Sequence, residues 1–227
     1  MLFSIIMPVL NEEAVLEHHL SNLVRQISHY DCELLIVDGG STDRTIEIAQ
    51  RFGKVISSQR GRAAQMNNGA DIAKGEVLLF LHADTLLPDD AFHIIEHALK
   101  AQEIVGGAFR ICFNCDKWLY QLVAFTTNLR SCIYKIFTGD QAYFVRSVSF
   151  KAIGGFPDQP LMEDLEIIKR LRKIGNVVLL PQYVTTSARR HERLGLIRSV
   201  LFMWYLRTLY KFGTSPTKLQ RMYIDVR

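Results

Sequence analysis

Two stretches decide the fold: Leu2-Phe-Ser-Ile-Ile-Met-Pro-Val-Leu-Asn-Glu-Glu13 and Cys32-Glu-Leu-Leu-Ile-Val-Asp-Gly-Gly-Ser-Thr-Asp43. The first opens on an apolar run of strand length over Leu2 to Val9 and the second on a strand over Cys32 to Val37, and each closes on polar turn residues. A strand that is apolar on both faces is covered on both faces, as in a parallel sheet. Between them Val15, Leu16, Leu20, Leu23, Val24 and Ile27 recur at helical spacing. Asn11 is placed to cap that helix, with Glu12 and Glu13 in its first turn. Working outward, the pattern predicts a helix over Thr42 to Phe52 and a strand over Lys54 to Ser57. A helix over Gly61 to Lys74, a strand over Val77 to Leu81 and a helix opened by Pro88 follow. This alternation predicts an α/β fold with a mostly parallel central sheet flanked by helices. Ligands of such sheets collect outside the carboxyl ends of the strands.

The second half is less regular. Lys117 to Phe137 reads as a helix with little polar face, Ala142 to Val145 as a strand, Glu163 to Lys173 as an amphipathic helix and Val177 to Leu180 as a strand. The expected organisation is a main domain over 1–190, with a nucleotide-binding half (1–105) and an acceptor half (106–190), and a tail over 191–227 carrying an amphipathic helix. With 48% hydrophobic and 22% charged residues the chain is a packed globular protein. A net charge of +4 falls short of a nucleic-acid footprint, and fits anionic small substrates or an anionic lipid surface. Cys112 and Cys115 form a C-x-x-C pair without further Cys or His at zinc-ligand spacing, so the four cysteines read as reduced thiols of a cytoplasmic protein. Met1 to Pro8 lacks the basic start of a signal peptide, and no apolar stretch is long enough to span a bilayer.

The chemistry-bearing residues sit just after strands. The first strand ends without glycine, so the Gly-rich turn of a dinucleotide site is absent and a bound diphosphate needs another neutralising partner, a divalent cation. Asp38 follows the second strand, as a hydrogen-bond acceptor for a base or ribose or as a turn residue. Asp84 follows the fourth, where an oxygen ligand for Mg²⁺ or Mn²⁺ is useful; a helix cap is the alternative. His82, two residues earlier, shares its strand face. Arg60, Arg62, Gln65, Asn67 and Asn68 crowd one segment, as phosphate or base contacts or as a solvated helix face. Glu163 and Asp164 open a helix after a Gly154-Gly155 turn, as a general base and its neighbour or as dipole-favoured caps.

In order along residues 3 to 190, Ile5 to Glu12, Val37 to Asp43, Asn68-Gly69-Ala70, Asp84 and Glu163-Asp164 resemble the motifs of family 2 inverting glycosyltransferases, here a compact bacterial subgroup. The resemblance implies the GT-A nucleotide-diphospho-sugar transferase fold and transfer of one sugar from a nucleotide donor, a UDP-sugar by preference, to an acceptor hydroxyl. It implies Asp164 as catalytic base with Glu163 beside it. Asp84 is then the metal ligand, and Pro8, Asn11, Glu12, Asp38, Arg62, Asn68, His82 and Ala83 line the donor nucleotide. Gly139, Asp140 and Gln141 border the acceptor, a lipid or a small molecule. His82 stands where the family's Asp-x-Asp motif has its first Asp. Ser187-Ala-Arg-Arg-His-Glu-Arg193 has paired arginines but no Trp, so it lacks the Gln-x-x-Arg-Trp motif of processive members. A sugar-nucleotide nucleotidyltransferase and an inactive nucleotide-sugar binding module are the rival readings.

The segment from Leu194 to Phe212 is apolar around most of a helix, interrupted by Arg198, Arg207 and Lys211. It predicts an interfacial helix on the inner face of the cell membrane, its basic residues toward anionic lipid. Docking on the domain or on a second subunit as a homodimer is the alternative.

Overall fold

The computed structural model describes residues 1–188 and 195–224. The paired arginines Arg189 and Arg190, and Leu194 at the expected start of the tail helix, lie outside the described residues. Strands β1 (Phe3–Val9), β2 (Cys32–Asp38), β3 (Lys54–Ser57) and β4 (Val77–Phe80) pair in parallel, with Ile5 beside Leu34 and Ile6 beside Phe80. Strands β5 (Thr85–Leu86), β6 (Ile104–Phe113), β7 (Tyr143–Arg146) and β8 (Asn176–Thr186) complete an eight-stranded sheet of order β3-β2-β1-β4-β7-β6-β8-β5. Strand β7 enters antiparallel between β4 and β6, and β6 resumes parallel pairing with β8.

Helices α1 (Glu13–Ile27), α2 (Thr45–Ala49), α3 (Arg62–Ile72), α4 (Ala91–Ala98), α5 (Trp118–Tyr134), α6 (Ser147–Ala152), α7 (Glu163–Leu171), α8 (Leu196–Lys211) and α9 (Pro216–Ile224) are joined by a short 3₁₀ turn at Gly139–Gln141. The residues of β1 alternate between two cores, as strand geometry requires. Phe3, Ile5, Met7 and Val9 meet α1 and α4 through Leu16, Leu20, Phe92 and Ile95, whereas Ile6 meets α3, α6 and α7 through Met66, Phe150 and Ile167. Helix α3 lies close on the sheet because Gly69 permits it: a Cβ there would fall 2.6 Å from a methyl of Ile6.

Several local expectations change. Asn11 does not cap α1; its backbone is left-handed (φ 54°) and its side chain turns to the neighbouring loop, while Asp43 accepts the Glu13 N–H at 3.2 Å. Helix α2 starts at Thr45, not Thr42, because Thr42 is held by Asn11. Helix α4 starts at Ala91, after a turn in which the Ala91 N–H donates to the Pro88 carbonyl. Strand β8 runs on to Thr186 because β6 and β5 pair with its second half.

The tail helix is docked by one face. Leu206 (0% exposed), with Phe202, Met203 and Leu209 beside it, packs against Leu219 of α9 and against Leu161, Met162 and Leu165 at the start of α7. The opposite face leaves Ile197, Leu201, Trp204 and Tyr205 exposed, and α8 also lies against α5, whose Trp118, Leu122, Phe125 and Ile133 are exposed. Among the described residues no helix is long and apolar enough to cross a membrane.

This two-sided arrangement sets an expected contrast. Leu206→Ala removes a buried side chain and is expected to lower unfolding free energy by about 2–4 kcal/mol. Trp204→Ala, 61% exposed, is expected to stay within about 0.5 kcal/mol. Urea denaturation of both variants measures it, and equal losses would show that α8 is not docked by this face.

Candidate active site

The carboxyl ends of β1 and β2 are tied into one platform. The buried Gln65 amide donates to the carbonyls of Val9 (2.9 Å) and Val37 (2.7 Å). Asn11 donates its N–H to Ser41 Oγ (2.9 Å) and accepts from the Thr42 N–H (2.8 Å), and the Glu12 N–H donates to Thr45 Oγ1 (2.8 Å). Asp38, 3% exposed, accepts the Gly40 and Ser41 N–H groups at 2.8 and 3.0 Å, so its turn role is visible in the structure. Pro8 lies in the β1–β2 ladder opposite Val37, and Asn68 reaches the Ser57 carbonyl at 3.3 Å. Asn67 has a structural task. It clips the loop before α7 by donating to the Phe156 carbonyl and accepting the Phe156 N–H, both at 2.9 Å.

Beyond this platform the charges converge. Arg62 at the start of α3 is open to water yet deep among protein atoms, as on a cleft floor. Desolvation opposes its charge, but Glu163, Tyr223, Asp164 and Asp84 raise its pKa above the ordinary arginine value. Asp84 lies in the turn after β4, with Ala83 buried beneath the sheet end. Glu163, 7% exposed, is pushed up to about 7 by burial and by Asp164 next to it, against the pull of Arg62. Asp164 is raised as well, by burial first and by Asp140, while Arg207 and Arg62 oppose the rise; its Oδ1 accepts the Leu165 N–H at 2.9 Å. Met162, just before the pair, has a left-handed backbone (φ 67°), and its side chain is buried against Leu206 and Leu219.

On the other side, a Cβ on Gly139 would fall 2.7 Å from the His82 ring, so the glycine lets the 3₁₀ turn rest on that ring. Asp140 is held below the ordinary Asp range: burial raises it, but the Thr138 hydroxyl, His82 and Arg207 together prevail. Gln141 does not face an acceptor. Fully buried, it accepts from the Thr138 N–H and donates to the Phe109 carbonyl, both at 2.9 Å, which pins the turn to β6.

Four residues join the site without having been singled out for it. Arg130 of α5, lowered to about 10 by burial and by Arg207, feels Asp140 and Asp164. Tyr143 of β7 is raised well above the ordinary tyrosine value by burial and by Asp164, Asp140 and Glu163. Arg207, expected at the lipid surface, instead lies near Asp164 and Asp140, and Tyr223 of α9 reaches the field of Arg62. The lone charged residue of its helix was the signal available for Arg130.

Among the described residues no three His, Cys, Asp or Glu side chains form a group that could cage a cation. Asp84 fits a cation of another kind, one held by a single carboxylate with phosphate oxygens and water as its other ligands. The arrangement as a whole can abstract a proton at the start of α7 and receive an anion at Arg62, with the Asp84 carboxylate beside it open to a cation.

Residues 4–154 match the family model described as glycosyl transferase family 2. A relative from Mycobacterium bovis (strain BCG), a PGL/p-HBAD biosynthesis glycosyltransferase, is 44% identical over 94 residues; the match covers 38% of this chain and only 36% of the relative's length. Among solved structures, S. aureus TarS (residues 1–349) with UDP-GlcNAc superposes with a TM-score of 0.67 at 19% identity, covering 82% of this chain and 58% of TarS. The mannosyltransferase PcManGT from Pyrobaculum calidifontis with GDP-Man and Mn²⁺ superposes at 0.64 and 19% identity, covering 95% of this chain and 66% of the other. With the family model spanning well over half of its length and the fold superposing on such structures, this chain belongs to glycosyl transferase family 2 and carries the GT-A fold.

Proposed function

We propose that this chain transfers a single sugar from a nucleoside-diphosphate donor, a UDP-sugar by preference, to an acceptor hydroxyl with inversion. The observation that carries the reading is the Glu163–Asp164 pair, Glu163 buried and Asp164 half-buried, both raised in pKa and both in the field of Arg62, which Asp84 also reaches from the carboxyl end of the parallel strands. Asp164 takes the proton of the acceptor hydroxyl. That oxygen bonds to the anomeric carbon from the side opposite the diphosphate, whose bond to the sugar breaks, so the configuration inverts. Arg62, beside Asp84, serves the donor's diphosphate, and Asp38 with its turn borders the nucleoside. A Mg²⁺ or Mn²⁺ ion at Asp84 supplies Lewis-acid stabilisation of the leaving diphosphate. Support comes from the structural neighbours, one with UDP-GlcNAc and one with GDP-Man and Mn²⁺. The sugar-nucleotide nucleotidyltransferase alternative has no support in the family match.

The exposed apolar faces of α5 and α8, with Arg198 and Lys211 exposed beside them, favour peripheral contact with an anionic membrane. Salt-sensitive sedimentation with anionic vesicles checks that contact. A salt-independent dimer that ignores vesicles would assign the faces to a second copy.

Asp164→Asn is expected to keep donor affinity and lose about 10²- to 10⁴-fold in turnover, because a general base acts in the transition state. UDP release in single-turnover assays beside UDP titration separates the two quantities; near-normal turnover would reduce the residue to a helix cap.

Asp84→Ala is expected to remove the tightening of UDP binding by Mn²⁺. Calorimetric titrations with and without the metal decide it, and a mutant that Mn²⁺ still tightens as it does the wild type would dismiss Asp84 as the ligand.

Glu163 also makes stability depend on pH. Its pKa in the folded state is raised from 4.5 to about 7, so its stabilising share is full below the lower value and is lost as pH rises through the upper one. Glu163→Gln escapes that loss, so its unfolding free energy should match the wild type near about pH 5 and exceed it near about pH 8 by on the order of 1–3 kcal/mol. A variant equally or less stable at the higher pH would show that ionising Glu163 costs the fold nothing.

A further inference from the structure

The reaction proposed above uses one positive pole, Arg62, with Asp84 beside it to hold a divalent cation. A second pole has no task in it. Arg130 and Arg207 come from the adjoining helices α5 and α8 and lie close enough for Arg207 to depress the Arg130 guanidinium. Neither makes an ion pair among the described residues. Arg130 Nε and Nη2 and the Tyr143 hydroxyl are buried without a hydrogen-bond partner among the described residues. Unmet buried donors cost about 1–3 kcal/mol each, more when charged, so a fold keeps them where a ligand satisfies them. All three atoms are donors, and the Nε–Nη2 edge of a guanidinium is a planar fork whose geometry matches a phosphate. The partner they call for is an anion with several acceptor oxygens.

The position says which substrate carries it. Arg62 feels Glu163, Asp164 and Asp84, whereas Arg130 feels Asp140 and Asp164. Asp164 is thus within the field of both Arg62 and Arg207. In an inverting displacement the leaving diphosphate and the attacking hydroxyl occupy opposite sides of the anomeric carbon, and the base stands on the attacking side.

We propose that Arg130 and Arg207, with the Tyr143 hydroxyl, form an anion subsite that holds the phosphate group of a negatively charged acceptor on the side of Asp164 away from the donor. The inference rests on the transferase reading. Its chemistry is the same for a soluble phosphate monoester and for a phospholipid headgroup reaching the site beside the apolar faces of α5 and α8.

The full chain, loaded with UDP and Mn²⁺, is titrated with sn-glycerol 3-phosphate and, as a control, with glycerol. Binding of the phosphate but not of glycerol is expected, weakened at least about 10-fold by Arg130→Gln and by Arg207→Gln, with UDP affinity unchanged. Arg207→Gln alters a half-exposed side chain and guards against a folding defect in the more enclosed Arg130→Gln; melting temperatures accompany both. Sedimentation with vesicles of phosphatidic acid against phosphatidylcholine gives the source: arginine-dependent loss on phosphatidic acid assigns a lipid acceptor, and loss with glycerol phosphate alone assigns a soluble one. Equal binding by the variants, or none by the wild type, overturns the subsite while the transferase reading stands. Displacement of glycerol phosphate by UDP overturns it too, by assigning the arginines to the donor. A chain that binds no UDP at all removes the transferase reading and the subsite with it.

Discussion

Two adjacent carboxylates, Glu163 and Asp164, leave bulk water at the first turn of α7. Like charges at that distance repel, and burial adds a desolvation penalty, so both titrate upward. The surroundings are arranged around that cost. The α7 amino terminus offers N–H groups, one of which Asp164 accepts, and Arg62 supplies the opposite charge from another layer of the fold. Met162 holds a left-handed backbone just before the pair, a conformation that survives only where packing over-determines it. Leu206 and Leu219 provide that packing, so the tail helices bear directly on the placement of Glu163 and Asp164.

The tail helix therefore has two surfaces to serve. A helix apolar around its circumference has no water-facing side, and a sequence reading must assign all of it to one partner. In the fold Leu206 and its neighbours are covered by α7 and α9, and Trp204 and its neighbours are left uncovered. Arg207 belongs to neither set, because the helix rotation that buries Leu206 carries the adjacent arginine toward Asp164 and Asp140.

The loops after β1 and β2 show how far a sequence motif mixes architecture with chemistry. Asn11, Ser41, Thr42, Asp43 and Thr45 hold one another across the two loops, and Gln65 closes the strand ends beneath them. Much of the Asp38-Gly-Gly-Ser-Thr-Asp43 signature thus makes a rigid shelf at the strand ends. Gln141 does the same for the 3₁₀ turn, leaving Asp140 exposed to the field of His82 and Arg207.

The sequence by itself determined the parallel strand–helix alternation, the strand ends that carry Asp38 and Asp84, and the carboxylate pair at the head of α7. These follow from local rules: apolar runs of strand length, helical spacing and turn residues within a few positions of one another. Tertiary structure alone decided that Arg130, Tyr143, Arg207 and Tyr223 converge on the same cleft, and that Asn11, Gln65, Asn67 and Gln141 are structural ties. Residues on α5, β7, α8 and α9 are distant in the chain, and no periodicity records which face of each helix meets which carboxylate. That choice is made by packing, when Leu206 and Leu219 find Met162 and the arginine beside Leu206 turns with it.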